Sequence, residues 1–309
     1  MEAIVYEEFG GPEVLRPAQV DDVHAGPGEI RVAVRAAGVN PIDYKIRNGW
    51  MEAAFPSPLP ATPGSEFAGV VDETGEGVTE FAVGDEVLGR STTGAYAEYV
   101  LADVGAVAPK PAGLGWAEAA ALPVATATAA RVLDELALSE GETLLLHGAS
   151  GAVGSAAVQL AVARGATVVG TASPANHDYL RVLGAVPVAY GRGLVDRVRE
   201  AAPQGVDAVF DVAGKGALAD SVELRGGTAD RIVTIADPDA AHYGVAFSAG
   251  GGNASDEGRR LAEYARSAAV GGLRVPVERT FALREAASAH ELSEAGHVRG
   301  KLILLPGER

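Results

Sequence analysis

The sequence predicts an α/β protein in which a β-rich, barrel-like unit is joined to a doubly wound, six-stranded parallel sheet. Three observations predict it. The first 110 residues read as short strands punctuated by Gly, Pro and Asp. From Thr143 onward strands alternate with helices. Between the two, near Pro109–Gly115, Ala- and Leu-rich segments of helical character begin. A chain of 309 residues exceeds the usual single core, so two domains are expected.

In order, Glu29–Arg35 alternates apolar with polar or small residues, as a half-buried strand requires. Further strands are expected at 66–73, 85–89 and 95–101, separated by Gly-bearing turns such as 72–77 and Val83-Gly84-Asp85. Trp116–Leu122 and Ala125–Leu136 read as helices broken at Pro123. The parallel sheet would use 143–147, 167–171, 186–190, 207–211, 231–235 and 244–248, with a helix over Ser155–Arg164. The C-terminal segment carries a helix near 256–270, a strand near 277–281, a helix near 283–294 and a last strand, Lys301–Leu305. There is no internal repeat.

Composition narrows the function classes. A hydrophobic content of 48% suffices to bury two cores, and a formal charge of −16 excludes a nucleic-acid surface, which needs a clustered basic patch. No secretory leader is visible at Met1-Glu2-Ala3-Ile4 and no apolar run is long enough to span a bilayer, so a cytoplasmic protein without a membrane partner is expected. With no cysteine, disulfides and thiolate metal sites are removed at once.

The most informative segment is Thr143–His147, Gly148-Ala149-Ser150-Gly151-Ala152-Val153-Gly154, a long Ala/Val/Leu stretch and Ala166–Thr171, read as strand, glycine turn, helix, strand. Turn glycines let the backbone approach a pyrophosphate closely, and the helix aims unpaired N–H groups and its positive dipole end at the phosphates. Gly148, Ser150, Gly151, Ala152, Val153 and Gly154 are therefore candidate dinucleotide ligands. The spacing is G-x-x-G-x-x-G instead of G-x-G-x-x-G, because Ala149 takes the first glycine position. The competing reading is an ordinary glycine-rich βα loop. Folds preferring NAD usually end the second strand with a carboxylate that binds the ribose 2′-OH. Here it ends Gly170-Thr171-Ala172-Ser173, which favours NADPH, with Thr171 and Ser173 as candidate contacts. Asp211, in Phe210-Asp211-Val212-Ala213-Gly214, closes the fourth strand at the sheet edge where ligands bind.

Several local words resemble the medium-chain dehydrogenase/reductase superfamily, zinc-independent quinone oxidoreductase (zeta-crystallin-like) and enone reductase branch. They are Gly38-Val39-Asn40-Pro41-Ile42-Asp43-Tyr44-Lys45, Pro63–Val71, Val83–Val87, the glycine turn and Arg299–Leu304. The resemblance implies a GroES-like catalytic domain over 1–119 and 252–309 and a Rossmann cofactor domain over 120–251. It implies nicotinamide contacts from Thr128 and from the sixth strand at Val245–Ser248, including Phe247. It places His177 and Tyr190 where the family has a Lys and a Tyr on the 2′-phosphate, with Arg192 as a possible substitute charge. Thr128 is equally readable as a helix Thr bonding its own backbone, and Phe210 and Phe247 as plain core.

In the zinc-dependent relatives a Cys and a Gly-His-Glu segment hold the metal. The matching positions here are Asn40 and Ser65, with Glu66 retained, so no metal site is expected. Hydride delivery to an enone builds charge on the carbonyl oxygen, which calls for donors; Asn40, presented by a loop stiffened by Pro41, Tyr44 and Lys45 are the candidates, with Asp43 as a brace. Tyr44 as a packed aromatic and Lys45 as a surface lysine are the alternatives. Trp50, Met51, Phe55 and Tyr243 are candidate walls for a small-molecule substrate. The expected activity is NADPH-dependent reduction of a quinone or an α,β-unsaturated carbonyl. The alternatives are an enoyl reductase or cyclase of secondary metabolism, or an NADPH-binding sensor. A homodimer paired through the edge strand near 245–248 is implied by the family.

Overall fold

The computed structural model describes residues 1–52, 56–250 and 254–307. Along the chain run β1 (Glu2–Val5), β2 (Arg16–Gln19), β3 (Glu29–Val39), α1 (Pro41–Arg47), β4 (Glu66–Thr74), β5 (Glu86–Arg90), β6 (Tyr99–Asp103), β7 (Val107–Pro109), α2 (Trp116–Ala120) and α3 (Pro123–Glu135). There follow β8 (Thr143–His147), α4 (Ala152–Ala163), β9 (Thr167–Ala172), α5 (His177–Val182), β10 (Val186–Ala189), α6 (Leu194–Ala201), β11 (Ala208–Asp211), α7 (Leu218–Leu224), β12 (Ile232–Thr234) and β13 (Ala246–Phe247). The chain closes with α8 (Ala254–Ala269), β14 (Val277–Ala282), α9 (Ala286–Ala295) and β15 (Lys301–Leu305). Two compact units result, one made of Met1–Val124 with Asn253–Arg309, the other of Ala125–Gly252.

The first unit is built on a seven-stranded sheet ordered β14-β15-β3-β4-β5-β7, with β6 also paired to β3, and on the β1–β2 pair. Burial alternates along β3 up to Arg35, then every residue from Ala36 to Val39 is buried. Val32, Phe67, Val87, Tyr96, Leu302 and Leu304 belong to its core. The strand expected over 95–101 lies instead at Tyr99–Asp103. Its first residues bond to loops: the Ala95 N–H donates to the Gly64 carbonyl and the Tyr96 N–H to that of Pro63. Gly64, at φ +89°, leaves room for the Tyr96 ring, which a Cβ there would meet at 2.4 Å.

The second unit is a parallel sheet ordered β10-β9-β8-β11-β12-β13, the doubly wound arrangement. Its centre, β8, is buried at all five residues, as a strand covered on both faces should be. Leu145, Val169, Leu194, Val198, Val209 and Ile232 form the core. The sixth strand is shorter than its apolar run suggests: Gly244 turns left-handed at φ 65° and the Val245 N–H bonds back to the Ala240 carbonyl, so only two residues pair. No described helix is long and apolar enough to cross a membrane.

Candidate active site

In the second unit the chain turns sharply after β8. Gly148 adopts φ +76°, and a Cβ on Gly154 would lie 2.3 Å from the Gly148 carbonyl oxygen, so these two glycines serve the turn and the helix–strand packing. Gly151 is different. A Cβ there meets its nearest atom at 3.6 Å, so nothing inside the chain excludes a side chain. The space above Gly151 is a cradle that a Cβ would fill, as close approach of a pyrophosphate requires. The helix begins at Ala152, three residues ahead of the expected start, with Gly151 as its cap. The first intrahelical bond runs from the Ser155 N–H to the Gly151 carbonyl at 2.8 Å, which leaves the N–H groups of Ala152, Val153 and Gly154 ahead of it for an anion.

A chain of hydrogen bonds fixes this turn. The Gly148 N–H donates to Thr171 Oγ1 at 3.2 Å, and Thr171 Oγ1 lies 3.4 Å from His147 Nδ1. His147 Nε2 lies 3.0 Å from Ser221 Oγ, whose proton goes to the Ala217 carbonyl at 2.7 Å. Nε2 is therefore the donor and Nδ1 the acceptor, the neutral imidazole that burial favours by lowering its pKa. Thr171 is buried, and its hydroxyl supports the turn. Asp211 plays a similar part after β11. Its carboxylate is wholly buried and accepts from the Ala213 and Gly214 N–H groups and from Thr234 Oγ1 at 2.8 Å, which shapes the loop after β11. Phe210 is core.

The register of β9 and β10 aligns Ala172 with Ala189, so Ser173 and Tyr190 leave neighbouring strand ends side by side. No carboxylate ends β9. Asn176, which the sequence gives no reason to single out, donates to Ser150 Oγ and Ser173 Oγ, each at 3.3 Å, and ties the glycine turn to this strand end. His177 Nε2 faces the Ala172 carbonyl at 3.4 Å, whereas Tyr190 is 55% exposed and Arg192 is exposed. Thr128 is half-buried on α3, and Phe247 on β13 is exposed.

In the first unit the Asn40–Lys45 segment is a helix start, not a loop. Asn40 is the N-cap of α1, Pro41 its first residue, and the Asn40 N–H donates to Asp43 Oδ2 at 2.8 Å, one half of a capping box. The Asn40 amide nitrogen donates to Glu66 Oε1 at 2.8 Å, and its oxygen accepts from Lys301 Nζ at 2.6 Å. Lys301 also sits 2.5 Å from Glu66 Oε1, and Glu66 Oε2 accepts from the Val124 N–H at 2.8 Å. All three side chains are buried, so Asn40 joins an ionic cluster with Glu66 and Lys301. Among the described residues no group of three or more His, Cys, Asp or Glu is placed to hold a metal ion.

Behind α1 lies a second buried chain. Arg47 donates to His290 Nδ1 at 2.9 Å and to Glu294. A guanidinium only donates, so His290 carries its proton on Nε2 and passes it toward Tyr96 Oη at 3.2 Å, while the Tyr96 hydroxyl donates to Asp43 Oδ2 at 2.9 Å. Burial pushes the Asp43 carboxyl up to about 7 against the pull of the Asn40 N–H and the Tyr96 hydroxyl, and burial together with Arg47 pushes His290 down to about 3. Tyr44 is half-buried on α1 and meets Trp50 edge-on at 6.2 Å. Burial and then Glu294 raise its hydroxyl, which stays protonated and, among the described residues, makes no hydrogen bond. Lys45 is half-buried, Trp50 is 68% exposed, Tyr243 stands edge-on against His242, and Phe55 lies outside the described residues.

Comparison with known proteins places these features. The alcohol dehydrogenase GroES-like domain profile matches residues 26–112, and the zinc-binding dehydrogenase profile matches residues 183–304. Quinone oxidoreductase of Mus musculus is 32% identical over 99% of this chain and 98% of its own length. The chain belongs to the quinone oxidoreductase branch of the medium-chain dehydrogenase/reductase superfamily. The structure of Escherichia coli quinone oxidoreductase complexed with NADPH superposes with a TM-score of 0.85 at 26% identity, covering 99% of this chain and 100% of that one. Pikromycin polyketide synthase component PikAII of Streptomyces venezuelae is 38% identical over 96% of this chain, which spans only 8% of that protein's length. Within the quinone oxidoreductase branch the two-unit fold is the expected one: a GroES-like unit and a Rossmann unit.

Proposed function

We propose that this quinone oxidoreductase family member binds NADPH and reduces a quinone or an α,β-unsaturated carbonyl without a metal ion. The observation that carries the reading is the pairing of a cradle over Gly151 that a Cβ would fill with a β9 end that offers Ala172 and Ser173 in place of a carboxylate. When bound, NADPH supplies the hydride. Gly151, Ala152, Val153 and Gly154 would hold the diphosphate, Ser173, His177 and Tyr190 the 2′-phosphate, and Thr128 and Phe247 the nicotinamide end. The chain's task at the substrate is to meet charge developing on the carbonyl oxygen, and the protonated Tyr44 hydroxyl, with Lys45 next to it, is the donor best suited to it. The cation that a metal would otherwise supply near Asn40 and Glu66 is the Lys301 ammonium, already paired.

The test follows NADPH absorbance with a quinone, an enone and a saturated alcohol, with and without EDTA. Turnover with the first two, unaffected by chelation and faster with NADPH than NADH, is expected; turnover of the alcohol restored by zinc would overturn the reading. The 38% identity to a polyketide synthase component favours a second reading, reduction of an enoyl thioester, and a crotonyl thioester in the same assay separates it from the first. We further propose that the protein is a homodimer joined through β13, where the exposed Phe247 lies on an open sheet edge. A mass of one chain by light scattering at micromolar concentration would contradict it.

A further inference from the structure

One guanidinium in the second unit gathers an entire loop. Arg197, one turn into α6, donates from Nε to the Ala189 carbonyl at 2.9 Å, from Nη1 to that of Arg192 at 2.9 Å, and from Nη2 to those of Tyr190 at 3.3 Å and Gly191 at 3.0 Å. Four consecutive carbonyls from the end of β10 converge on it. Two glycines make the convergence possible, Gly191 at φ +85° and Gly193 at φ +79°. A Cβ on Gly193 would stand 3.2 Å from Arg197 Nη1, so this second glycine also makes room for the arginine. With its carbonyls turned inward, the loop presents its side chains outward, and those of Tyr190 and Arg192 are exposed. The aligned register of Ala189 with Ala172 sets this loop beside Ser173.

We propose that Arg197 is a positioning residue for cofactor selectivity: by clamping the carbonyls of 189–192 it holds Tyr190 and Arg192 against the strand end that receives the adenosine 2′-phosphate. The inference rests on the NADPH reading above. It follows from donor geometry. A guanidinium has five N–H groups in a planar fork, and four are used here; an ammonium has three donors and no fork, so a lysine cannot close the same cage. The clamp orders the loop before any cofactor arrives, so binding a 2′-phosphate does not have to fix these residues anew. NADH, which carries no phosphate there, gains nothing from that order.

Dissociation constants for NADPH and NADH, measured by fluorescence titration on wild type, Arg197→Gln, Arg197→Lys and Gly193→Ala, test the proposal. Hydrogen exchange of amides 190–194 in the cofactor-free protein is read alongside. Gly193→Ala keeps the charge but crowds the clamp, so it separates positioning from electrostatics. All three variants are expected to weaken NADPH roughly 10-fold, with NADH changed by less than about 2-fold and exchange in the loop accelerated. A general loss of fold would weaken both cofactors alike, and the ratio is blind to it. An unchanged ratio in Arg197→Gln, or a changed ratio confined to the variants that alter the arginine, would overturn the clamp. Equal affinities in the wild type would overturn the NADPH reading and this proposal with it, a result visible before any substitution is made.

Discussion

Asp43 and His290 both bond to the Tyr96 hydroxyl, and their titrations oppose each other. Asp43 is raised on folding from its ordinary 3.8 to about 7, so the stability linked to it is fully present below 3.8 and is lost as pH rises toward 7. His290 is lowered from 6.5 to about 3, so its contribution is present above 6.5 and is lost as pH falls toward 3. Between 3.8 and 6.5 the two slopes, each up to about 1.4 kcal/mol per pH unit, offset one another. Asp43→Asn keeps an acceptor for the Asn40 N–H and the Tyr96 hydroxyl, and its stability should fall as pH drops through this window. His290→Gln should show the reverse, a fall as pH rises. Denaturant titrations at several pH values check both, and parallel profiles for the two variants would contradict the assignment. Tyr44→Phe belongs to the same scale. If its hydroxyl donates to the reacting oxygen, kcat with an enone should drop about 10- to 1000-fold while NADPH affinity and thermal midpoint hold. A packing role would move the midpoint and spare kcat.

The glycine turn shows how one element divides its duties among like residues. Gly151→Ala should weaken NADPH by roughly 10-fold or more with little change in Tm, since its Cβ meets no atom closer than 3.6 Å. Gly154→Ala, whose Cβ would strike the Gly148 carbonyl at 2.3 Å, should lose about 1–3 kcal/mol of stability as well. Thermal melts beside cofactor titrations distinguish the two, and equal loss of stability would mean the cradle is not open. Elements of this kind were legible in the sequence because apolar periodicity and turn glycines act locally: β8, α4, β9 and β15 lie within a few residues of where their patterns put them. The helix at Pro41–Arg47 was not legible as a helix, since Asn-Pro reads equally well as a loop, and only the Asn40–Asp43 bond decides it. The buried partners were hidden for a different reason. Arg47 meets Glu294 and Lys301 meets Asn40 across more than 240 positions, and no local spacing reports such pairs. A charged residue heading the otherwise apolar run Lys301–Leu305 was the one visible hint.

The first unit is assembled from both ends of the chain, with the second unit encoded between them. Its central strand, β3, receives β15 as a direct neighbour, with Leu302 opposite Val39 and Leu304 opposite Ala37, and the same strand brings the cation for Glu66. Until that strand arrives, the stretch of β3 at Ala37–Val39 lacks its β15 partner, while β6 already pairs Glu29–Ala33, and Glu66 is a buried charge without its counterion, which is strongly unfavourable. During synthesis the ribosome delivers 1–124 before 125–250, and Lys301 after both. Residues 125–252 therefore have everything they need to fold before residues 1–124 do. On translationally arrested chains of increasing length, protease resistance should appear over 125–250 while 1–124 is still cut, and spread to 1–124 only once Lys301 has left the exit tunnel. Protection of 1–124 on shorter chains would contradict this order. Residues 1–124 thus wait for a strand made well after them, and the edge of β3 at Ala37–Val39 is the surface a chaperone would have to shield in that interval.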